Sequence, residues 1–294
     1  MSELSSRRGV VVGVDGSAAA KVAVDWAARE AALRNAALTI VHVMPALTMW
    51  PELAMPPKID QLYKNQTAAW LDDARQVARE AESAPRRIET QLLEGAALPS
   101  LVELSRDAEL IVVGCRGLGS IARRLLGSIS RGLVQRAHCP VAVIHDEDPL
   151  MPYPVAQAPV VVGVDGSPAS ELATQIAFDA ASRRGVQLVA LHAWIDHAVI
   201  ELPADEWAAR GEELAEQKLT EQLGRWQQRY PDVSVRRVIV ADQPARQLVK
   251  QADSAQLVVV GSRGRGGFAG MLLGSVGAAV AESARMPVIV ARSP

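Results

Sequence analysis

The chain has 294 residues, of which 49% are hydrophobic and 22% are charged, a composition typical of a folded globular protein. Its length allows two domains of common size, and a net charge of −2 provides no basic field to attract nucleic acid or an anionic membrane. The apolar runs are too short to cross a bilayer, and Asp15 interrupts the first one. Two cysteines, Cys115 and Cys139, favour reduced thiols and a cytoplasmic location, without the Cys and His spacing of a metal site.

The sequence contains the same pattern twice. The stretch Val-Val-Val-Gly-Val-Asp-Gly-Ser ends at Ser17 and again at Ser167, and a glycine-rich stretch begins at Gly114 and again at Gly261. These offsets, 150 and 147 residues, indicate a duplicated domain, because solenoid repeats are only about 20–50 residues long. We therefore expect a first domain over 1–147, a proline-rich, extended linker over 148–158 and a second domain over 159–294.

Each half predicts strands that alternate with helices. A first run of β-branched residues leads into the Asp-Gly-Ser turn, whose serine (Ser17 or Ser167) is expected to cap the next helix. In the first half the later elements are helix 18–34, strand 38–43, helix 60–83, strand 88–94, helix 98–107, strand 109–113, helix 129–137 and strand 140–145. In the second half they are helix 168–184, strand 188–193, helix 204–229, strand 233–240, helix 244–253, strand 256–260, a helix after the glycine-rich stretch and strand 287–292.

The strands are apolar on both faces, which is typical of a parallel sheet covered by helices on both sides. The expected fold class is α/β, with two tandem Rossmann-like domains, each a five-stranded parallel sheet with helices on both faces. In such sheets ligands bind at the carboxyl ends of the strands. The Asp-Gly-Ser turn, the end of the second strand and the glycine-rich stretch are expected to meet there in each half.

The glycine-rich stretch has the composition of a phosphate cradle. Gly114 and Gly117 allow either close approach of the backbone to a ligand or a positive φ. Gly127 and Ser128 precede a helix whose first amides lack intrahelical partners and favour an anion. The nearby countercharges are Arg116, Arg123, Arg124, Arg263 and Arg265.

Two other interpretations compete with this one. Glycine at a strand-to-helix turn often serves only as a turn residue, although two copies with matched spacing favour phosphate binding. A Walker loop is excluded, because Lys21 lies on the first helix without the glycines that motif requires.

The pattern Gly-x-x-Gly, nine residues, then Gly-Ser resembles the ATP-binding signature of the universal stress proteins. It is complete in both halves: Gly114, Gly117 and Gly127-Ser128, then Gly261, Gly264 and Gly274-Ser275. The resemblance covers nearly the whole chain and is closest to the tandem-domain members of actinobacteria. It implies an adenine nucleotide α-hydrolase-like variant of the Rossmann-like fold.

By this resemblance, the Asp15 and Asp165 turns face the nucleoside, and the backbone of Val43 or Ala193 meets the adenine. Gly114 and Gly261 lie by the ribose, and the later glycines and serines hold phosphates. The expected nucleotide-binding residues of the first half are Gly13, Asp15, Val43, Gly114, Arg116, Gly117, Gly119, Arg123, Gly127, Ser128, Ile129 and Ser130. Those of the second half are Gly163, Asp165, Ala193, Gly261, Arg263, Gly264, Arg265, Gly266, Gly267, Gly274, Ser275, Val276 and Gly277.

The resemblance implies two ATP molecules per chain, with Mg²⁺ reaching the site through the phosphates and no protein side chain as a direct metal ligand. The expected function is a nucleotide-dependent stress-response regulator. The alternative is a slow ATPase or a phosphoryl- or adenylyl-transfer enzyme; a third reading is a structural dimer with a vestigial pocket. Phosphoryl transfer usually requires a lysine, a metal and a base, and no matched lysine or second carboxylate occurs, which favours little or no turnover.

Other side chains invite functional readings. The matched His42 and His192 are expected to be structural, with a catalytic base as the alternative. A redox role for Cys115 is disfavoured, because its counterpart in the second half is Ser262. The six tryptophans are interpreted as core or interface packing.

The closing strands, 140–145 and 287–292, are apolar edge candidates. We expect the two halves to pair through them, as the resemblance also implies, and we expect a homodimer of the chain. No nucleic-acid or membrane partner is expected.

Overall fold

The computed structural model describes residues 8–45, 57–117, 126–145, 155–194, 204–264 and 273–292. The chain divides into two compact units, Met1–Asp146 and Glu147–Ser293. Each unit is an α/β domain, as the sequence predicts. Within the described residues, no helix combines the length and apolar character needed to cross a membrane.

The N-terminal unit contains a parallel sheet of five strands in the order β3-β2-β1-β4-β5. Because the strands are parallel, their carboxyl ends lie at one edge of the sheet. The elements are β1 Val10–Gly13, α1 Ala18–Leu33, β2 Leu38–Met44, α2 Pro57–Glu80, β3 Ile88–Glu94, α3 Ala97–Leu104, β4 Leu110–Gly114, α4 Ser128–Arg136 and β5 Val141–Ile144.

The C-terminal unit repeats this arrangement, with the parallel order β8-β7-β6-β9-β10. A short 3-10 helix, Val155–Gln157, precedes it. The elements are β6 Val160–Gly163, α5 Pro168–Arg184, β7 Leu188–Ala193, α6 Ala204–Arg229, β8 Val235–Val240, α7 Pro244–Ala252, β9 Leu257–Gly261, α8 Ser275–Ser283 and β10 Val288–Ala291.

The central strands form the core of each unit. All seven residues of β2 and all five of β4 are buried, whereas the edge strand β3 alternates between half-buried and exposed positions. On α1 the buried residues are mainly alanines, including Ala23, Ala27 and Ala31 at 0% exposure. These small side chains let the helix lie close to the sheet, which confirms the expected covering of a doubly buried sheet.

Two helices end earlier than the sequence pattern indicates. The chain bends over 81–83 after α2, just before Pro85, whose ring disfavours helix in the preceding residue. After α3 the Ser105 amide donates to both Leu101 and Val102, and the amides of Arg106 and Asp107 donate only to carbonyls three residues back, so this segment is a tight turn rather than a continued α-helix.

Candidate functional site

The Asp-Gly-Ser turn at the end of β1 is held by its own side chains. Asp15 Oδ1 accepts a hydrogen bond from the Ser17 amide at 3.0 Å, and Ser17 Oγ accepts one from the Ala20 amide at 3.2 Å. Gly16 between them has a φ of +82°, a left-handed conformation that favours glycine. The expected helix cap at Ser17 is confirmed.

The same turn recurs after β6 in the C-terminal unit. Asp165 Oδ1 accepts from the Ser167 amide at 2.9 Å, Ser167 Oγ accepts from the Ser170 amide at 3.2 Å, and Gly166 has a φ of +78°. Ser167 Oγ also donates to the Arg263 carbonyl at 3.2 Å. This bond ties the turn directly to the start of the second glycine-rich stretch.

The second glycine of each signature is required by a close approach. A Cβ on Gly264 would lie 2.6 Å from Asp165 Oδ2, and one on Gly117 would collide in the same way with Asp15 Oδ2. Neither glycine is among those with positive φ in the described residues. A positive φ is therefore not the reason for these glycines. The neighbour that the structure shows is the carboxylate of the Asp turn, and close approach to a ligand stays a prediction.

The first glycine of each signature makes room for a helix. A Cβ on Gly114 would lie 3.1 Å from the backbone of Ala19, and one on Gly261 would lie 2.9 Å from the backbone of Ala169. Gly13 is similarly close to Leu101. These glycines therefore bring the first helix, or the helix after β3, near the carboxyl edge of the sheet.

The glycine before α4 closes the loop onto the strand. The Gly127 amide donates to the Cys115 carbonyl at 2.8 Å, and in the other unit Gly274 donates to Ser262 at 2.7 Å. Gly127 occupies the N-cap position and offers no side chain to the first-turn amides of α4. Those amides are available to an anion in front of the helix.

Ser130 differs between the two units. Its hydroxyl donates to the Gly114 carbonyl at 2.7 Å. At the matched position Gly277 has no side chain, and a Cβ there would lie 2.9 Å from the Gly261 carbonyl oxygen. The Ser130 hydroxyl therefore stabilises the loop. The backbone amide of Ser130 is the group of this residue that can face a ligand.

The two matched histidines hold the ends of β2 and β7. His42 Nδ1 lies 2.7 Å from the Val14 carbonyl oxygen, and His192 Nδ1 lies 2.6 Å from that of Val164. Because a carbonyl only accepts, Nδ1 donates in each case. Both side chains are buried. These contacts favour the structural interpretation of the two histidines, which stays a prediction because His42 also lines the cavity of this unit.

A cavity of about 810 Å³ joins these features in the N-terminal unit. Its size falls within the usual range for small-molecule sites. Gly119 and Arg123 lie outside the described residues, as do Arg265, Gly266 and Gly267 of the second half. The other predicted residues of the first half all line the cavity: Gly13, Asp15, Val43, Gly114, Arg116, Gly117, Gly127, Ser128, Ile129 and Ser130.

The cavity also contains residues that the sequence did not predict. Trp70, which the sequence analysis assigned to packing, lines it together with Tyr63 from the same helix. Trp70 does pack, against His42 and the turn at Gly16, and its position in the cavity lining adds to that role. Neither Tyr63 nor Trp70 belongs to a motif, and only the packing of α2 against the β2 end brings them to the site.

The predicted residues of the C-terminal unit occupy matching places. Gly163 ends β6, and Asp165 lies in the turn after it. Ala193 ends β7, and Gly261 ends β9 just before Arg263 and Gly264. The remaining ones, Gly274, Ser275, Val276 and Gly277, start α8.

An arginine that the sequence analysis missed stands near the second glycine-rich stretch. Arg292 directly follows β10, at the position that His145 has after β5. Burial lowers the pKa of Arg292, and the charge of Arg263 lowers it further. Arg292 thus adds positive charge close to Arg263, a setting that favours an anion.

The two cysteines are buried thiols. Burial raises the pKa of Cys139 to about 12, which leaves almost no reactive thiolate at neutral pH. Among the described residues, no group of three or more histidine, cysteine, aspartate or glutamate side chains is placed to hold a metal ion.

Comparison with known proteins gives a consistent result. The family model described as Universal stress protein family matches residues 6–145 and 158–292. The chain is 56% identical to universal stress protein Rv2623 and 52% identical to universal stress protein Rv2005c, both of Mycobacterium tuberculosis, over 99% of each chain. The crystal structure of a universal stress protein from Archaeoglobus fulgidus has the same fold, with a TM-score of 0.70 at 18% identity over 97% of this chain and 96% of that one.

Proposed function

The chain belongs to the universal stress protein family, and from this premise we propose that each half binds one adenine nucleotide. The protein then acts as a nucleotide-dependent regulator of the stress response, with little or no turnover of the bound nucleotide. The observation that carries the proposal is the cavity in which the Asp15 turn, the end of β2 and the glycine-rich stretch meet.

The residues of this cavity suit an adenine nucleotide. Amides at the start of α4 and the Ser128 hydroxyl provide hydrogen-bond donors for phosphate oxygens, and Arg116 provides a countercharge. Hydrogen bonds to charged groups typically contribute about 1.5–3 kcal/mol each. Asp15 is suited to accept from a ribose hydroxyl, and the apolar side around Val43 is suited to the base.

The chemistry of the cavity supports binding rather than turnover. Among the described residues that line the cavity, there is one carboxylate, Asp15, and one arginine or lysine, Arg116. Lys21 instead pairs with Asp73, 2.6 Å away. A nucleotide would supply Mg²⁺ through its own phosphates, and a regulator of this kind changes shape or partner affinity with nucleotide occupancy.

Two measurements test the proposal. Mass spectrometry of the material released when the purified protein is denatured is expected to identify an adenine nucleotide. Steady-state phosphate release from ATP, on protein freed of contaminating ATPase, is expected to stay at the background rate. Robust turnover that depends on the protein would favour the slow ATPase, and no bound or binding nucleotide would refute the proposal.

A further inference from the structure

The side of the N-terminal cavity next to β2 is aromatic. Tyr63 and Trp70, both on α2, line it. The Trp70 ring meets the His42 ring edge-on, with centroids 5.3 Å apart. A Cβ on Gly16 would lie 2.5 Å from Cε2 of the indole, so the turn after β1 also contacts it closely. Trp70 is therefore held in place from two strands.

This aromatic wall lies across the Asp15 turn from the glycine-rich stretch. β1 pairs with β2 on one side and with β4 on the other. Trp70 contacts the β2 end, whereas Gly117 approaches Asp15 from the β4 side. The cavity thus presents an aromatic surface on one side and amides with an arginine on the other. These are the two surfaces that the base and the phosphates of a nucleotide require.

The C-terminal unit has a different residue at the position of the indole. Buried positions recur with the same spacing in the long helices α2 and α6, and this spacing places Gln222 where the first unit has Trp70. An independent contact agrees, because a Cβ on Gly166 would collide with the Gln222 carboxamide as one on Gly16 would with Trp70. The matched buried positions are Thr67, Leu71 and Ala74 in α2 and Leu219, Leu223 and Trp226 in α6.

The replacement, Gln222, is polar, and the oxygen of its carboxamide lacks a described partner. Gln222 Oε1 is buried without a hydrogen-bond partner among the described residues. Trp194 does not take the place of the indole, because it packs against Gly211. Gly211 precedes Gln222 by 11 residues on α6, a distance of about 16 Å along the helix axis.

We propose that Trp70 determines base specificity, and that the two halves therefore accept different ranges of nucleotides. In the N-terminal half a purine base stacks on the indole, whereas the C-terminal half, with a carboxamide at that position, accepts purine and pyrimidine nucleotides more equally. The proposal rests on the proposed function and adds to it a division between the two sites. Stacking acts on the base alone, and the two fused rings of a purine cover more of the indole than the single ring of a pyrimidine, so Trp70 favours purines without acting on the phosphates.

Photolabelling of the full chain with 8-azido-ATP tests this, because mass spectrometry of the labelled peptides reads each half separately. ATP and CTP are used as competitors. In the N-terminal half, ATP is expected to displace the label at roughly one tenth of the concentration that CTP requires, and in the C-terminal half the two are expected to differ less than about threefold.

Matched substitutions exchange the residues that the two halves carry at this position. Trp70→Gln installs the residue that the C-terminal half carries natively and is expected to lower the ATP preference of the N-terminal half about threefold or more. Trp70→Phe keeps an aromatic ring and is expected to retain the preference. Gln222→Trp is expected to raise the preference of the C-terminal half, and it tests the proposal even if Trp70→Gln does not fold.

The outcomes separate this inference from the proposed function. Equal base preference in the two halves, or an unchanged preference in a folded Trp70→Gln variant, overturns the role of Trp70 while nucleotide binding stands. If Trp70→Gln does not fold, an unchanged preference in Gln222→Trp overturns it. Labelling that ATP does not displace from either half overturns both.

Discussion

At the scale of single residues, each oxygen of the Asp15 carboxylate has a different neighbour. Oδ1 accepts from the Ser17 amide and fixes the turn after β1, while Oδ2 lies where Gly117 approaches. Because Oδ1 is held, the carboxylate can move away from position 117 only by giving up its hydrogen bond to the Ser17 amide. Asp165 and Gly264 repeat the arrangement, which makes the second glycine of each signature sensitive to an added methyl group.

We predict that Gly117→Ala and Gly264→Ala each abolish nucleotide binding in their own half, or weaken it at least about tenfold, and leave the fold intact. The added methyl group displaces the Asp15 or Asp165 carboxylate, and loss of hydrogen bonds to charged groups costs about 1.5–3 kcal/mol each. Isothermal titration calorimetry measures the affinity, and circular dichroism checks the fold.

Gly224→Ala is the matched control for these substitutions. Gly224 lies within α6, and nothing stands within 4 Å of a Cβ added there. Nucleotide binding is expected to stay unchanged, and the free energy of unfolding to rise by up to about 1 kcal/mol, because alanine favours helix over glycine. If Gly117→Ala and Gly264→Ala both bind nucleotide with wild-type affinity, these glycines serve only as turn residues.

Cys139 gives a prediction about pH. Burial raises its pKa from 9.0 to about 12, so the unfolded chain loses this proton at lower pH than the folded chain does. The buried neutral thiol therefore contributes stability that is fully present below about pH 9 and is lost as the pH rises from 9 towards 12. Urea unfolding at pH 7, 9 and 10.5 is expected to show a smaller decline in the unfolding free energy for Cys139→Ala than for the wild type. Equal declines would contradict the prediction.

At the scale of whole elements, the start of α4 is the element end best placed to hold an anion. Gly127 before it has φ −60° and ψ 157°, and the helix begins at Ser128. The corresponding Gly274 has φ −73° and ψ 153° before α8. These angles lie close to the polyproline II region, which is open to a residue before proline. Proline is also well tolerated at the first position of a helix, as Pro168 shows in α5.

We predict that Ser128→Pro leaves the fold unchanged and weakens nucleotide binding in the N-terminal half about tenfold. Proline removes the amide at this position but suits the first turn of the helix. Ser128→Ala is the control, since it removes the hydroxyl alone and is expected to weaken binding by a smaller factor than Ser128→Pro, which removes the amide as well. If Ser128→Pro binds as tightly as the wild type, the amide of Ser128 does not contact the phosphates.

At the scale of the whole molecule, the duplication predicts the number of ligands. Each unit carries its own Asp turn, its own second-strand end and its own glycine signature. The two copies differ in detail, because Gly277 occupies the position in the second half that Ser130 has in the first, and Arg292 occupies that of His145. Two sites of unequal affinity are therefore expected in one chain.

We predict that ATP raises the melting temperature through two sites. At a concentration one hundredfold above Kd, a ligand stabilises the folded state by about 2.7 kcal/mol per site. The rise is expected to shrink in Gly117→Ala and in Gly264→Ala and to vanish in the double variant. Differential scanning calorimetry measures the shift, and titration calorimetry the stoichiometry. One site per chain, or none in ligand-stripped protein, would refute the prediction.

The sequence by itself determined the architecture and ten of the 21 residues that line the N-terminal cavity. Runs of β-branched residues, helical periodicity and the glycines of each turn act locally, so they are readable without a structure. Because the same pattern occurs in both halves, each assignment has a matching one in the other half. This repetition is the reason that the sequence predicts Gly114, Gly117 and Gly127 as nucleotide-binding residues. The ends of α2 and α3 differ from the prediction, because the residues that follow these helices still have a helical composition.

Only the tertiary structure decided which distant residues meet. Gly117 and Asp15 are far apart in the chain, and they come into contact because β1 lies beside β4. Trp70 belongs to no motif and reaches the cavity because α2 packs at the β2 end, against His42. Arg292 comes near Arg263 because β10 pairs with β9. Such contacts arise from the packing of elements, which local sequence patterns do not encode.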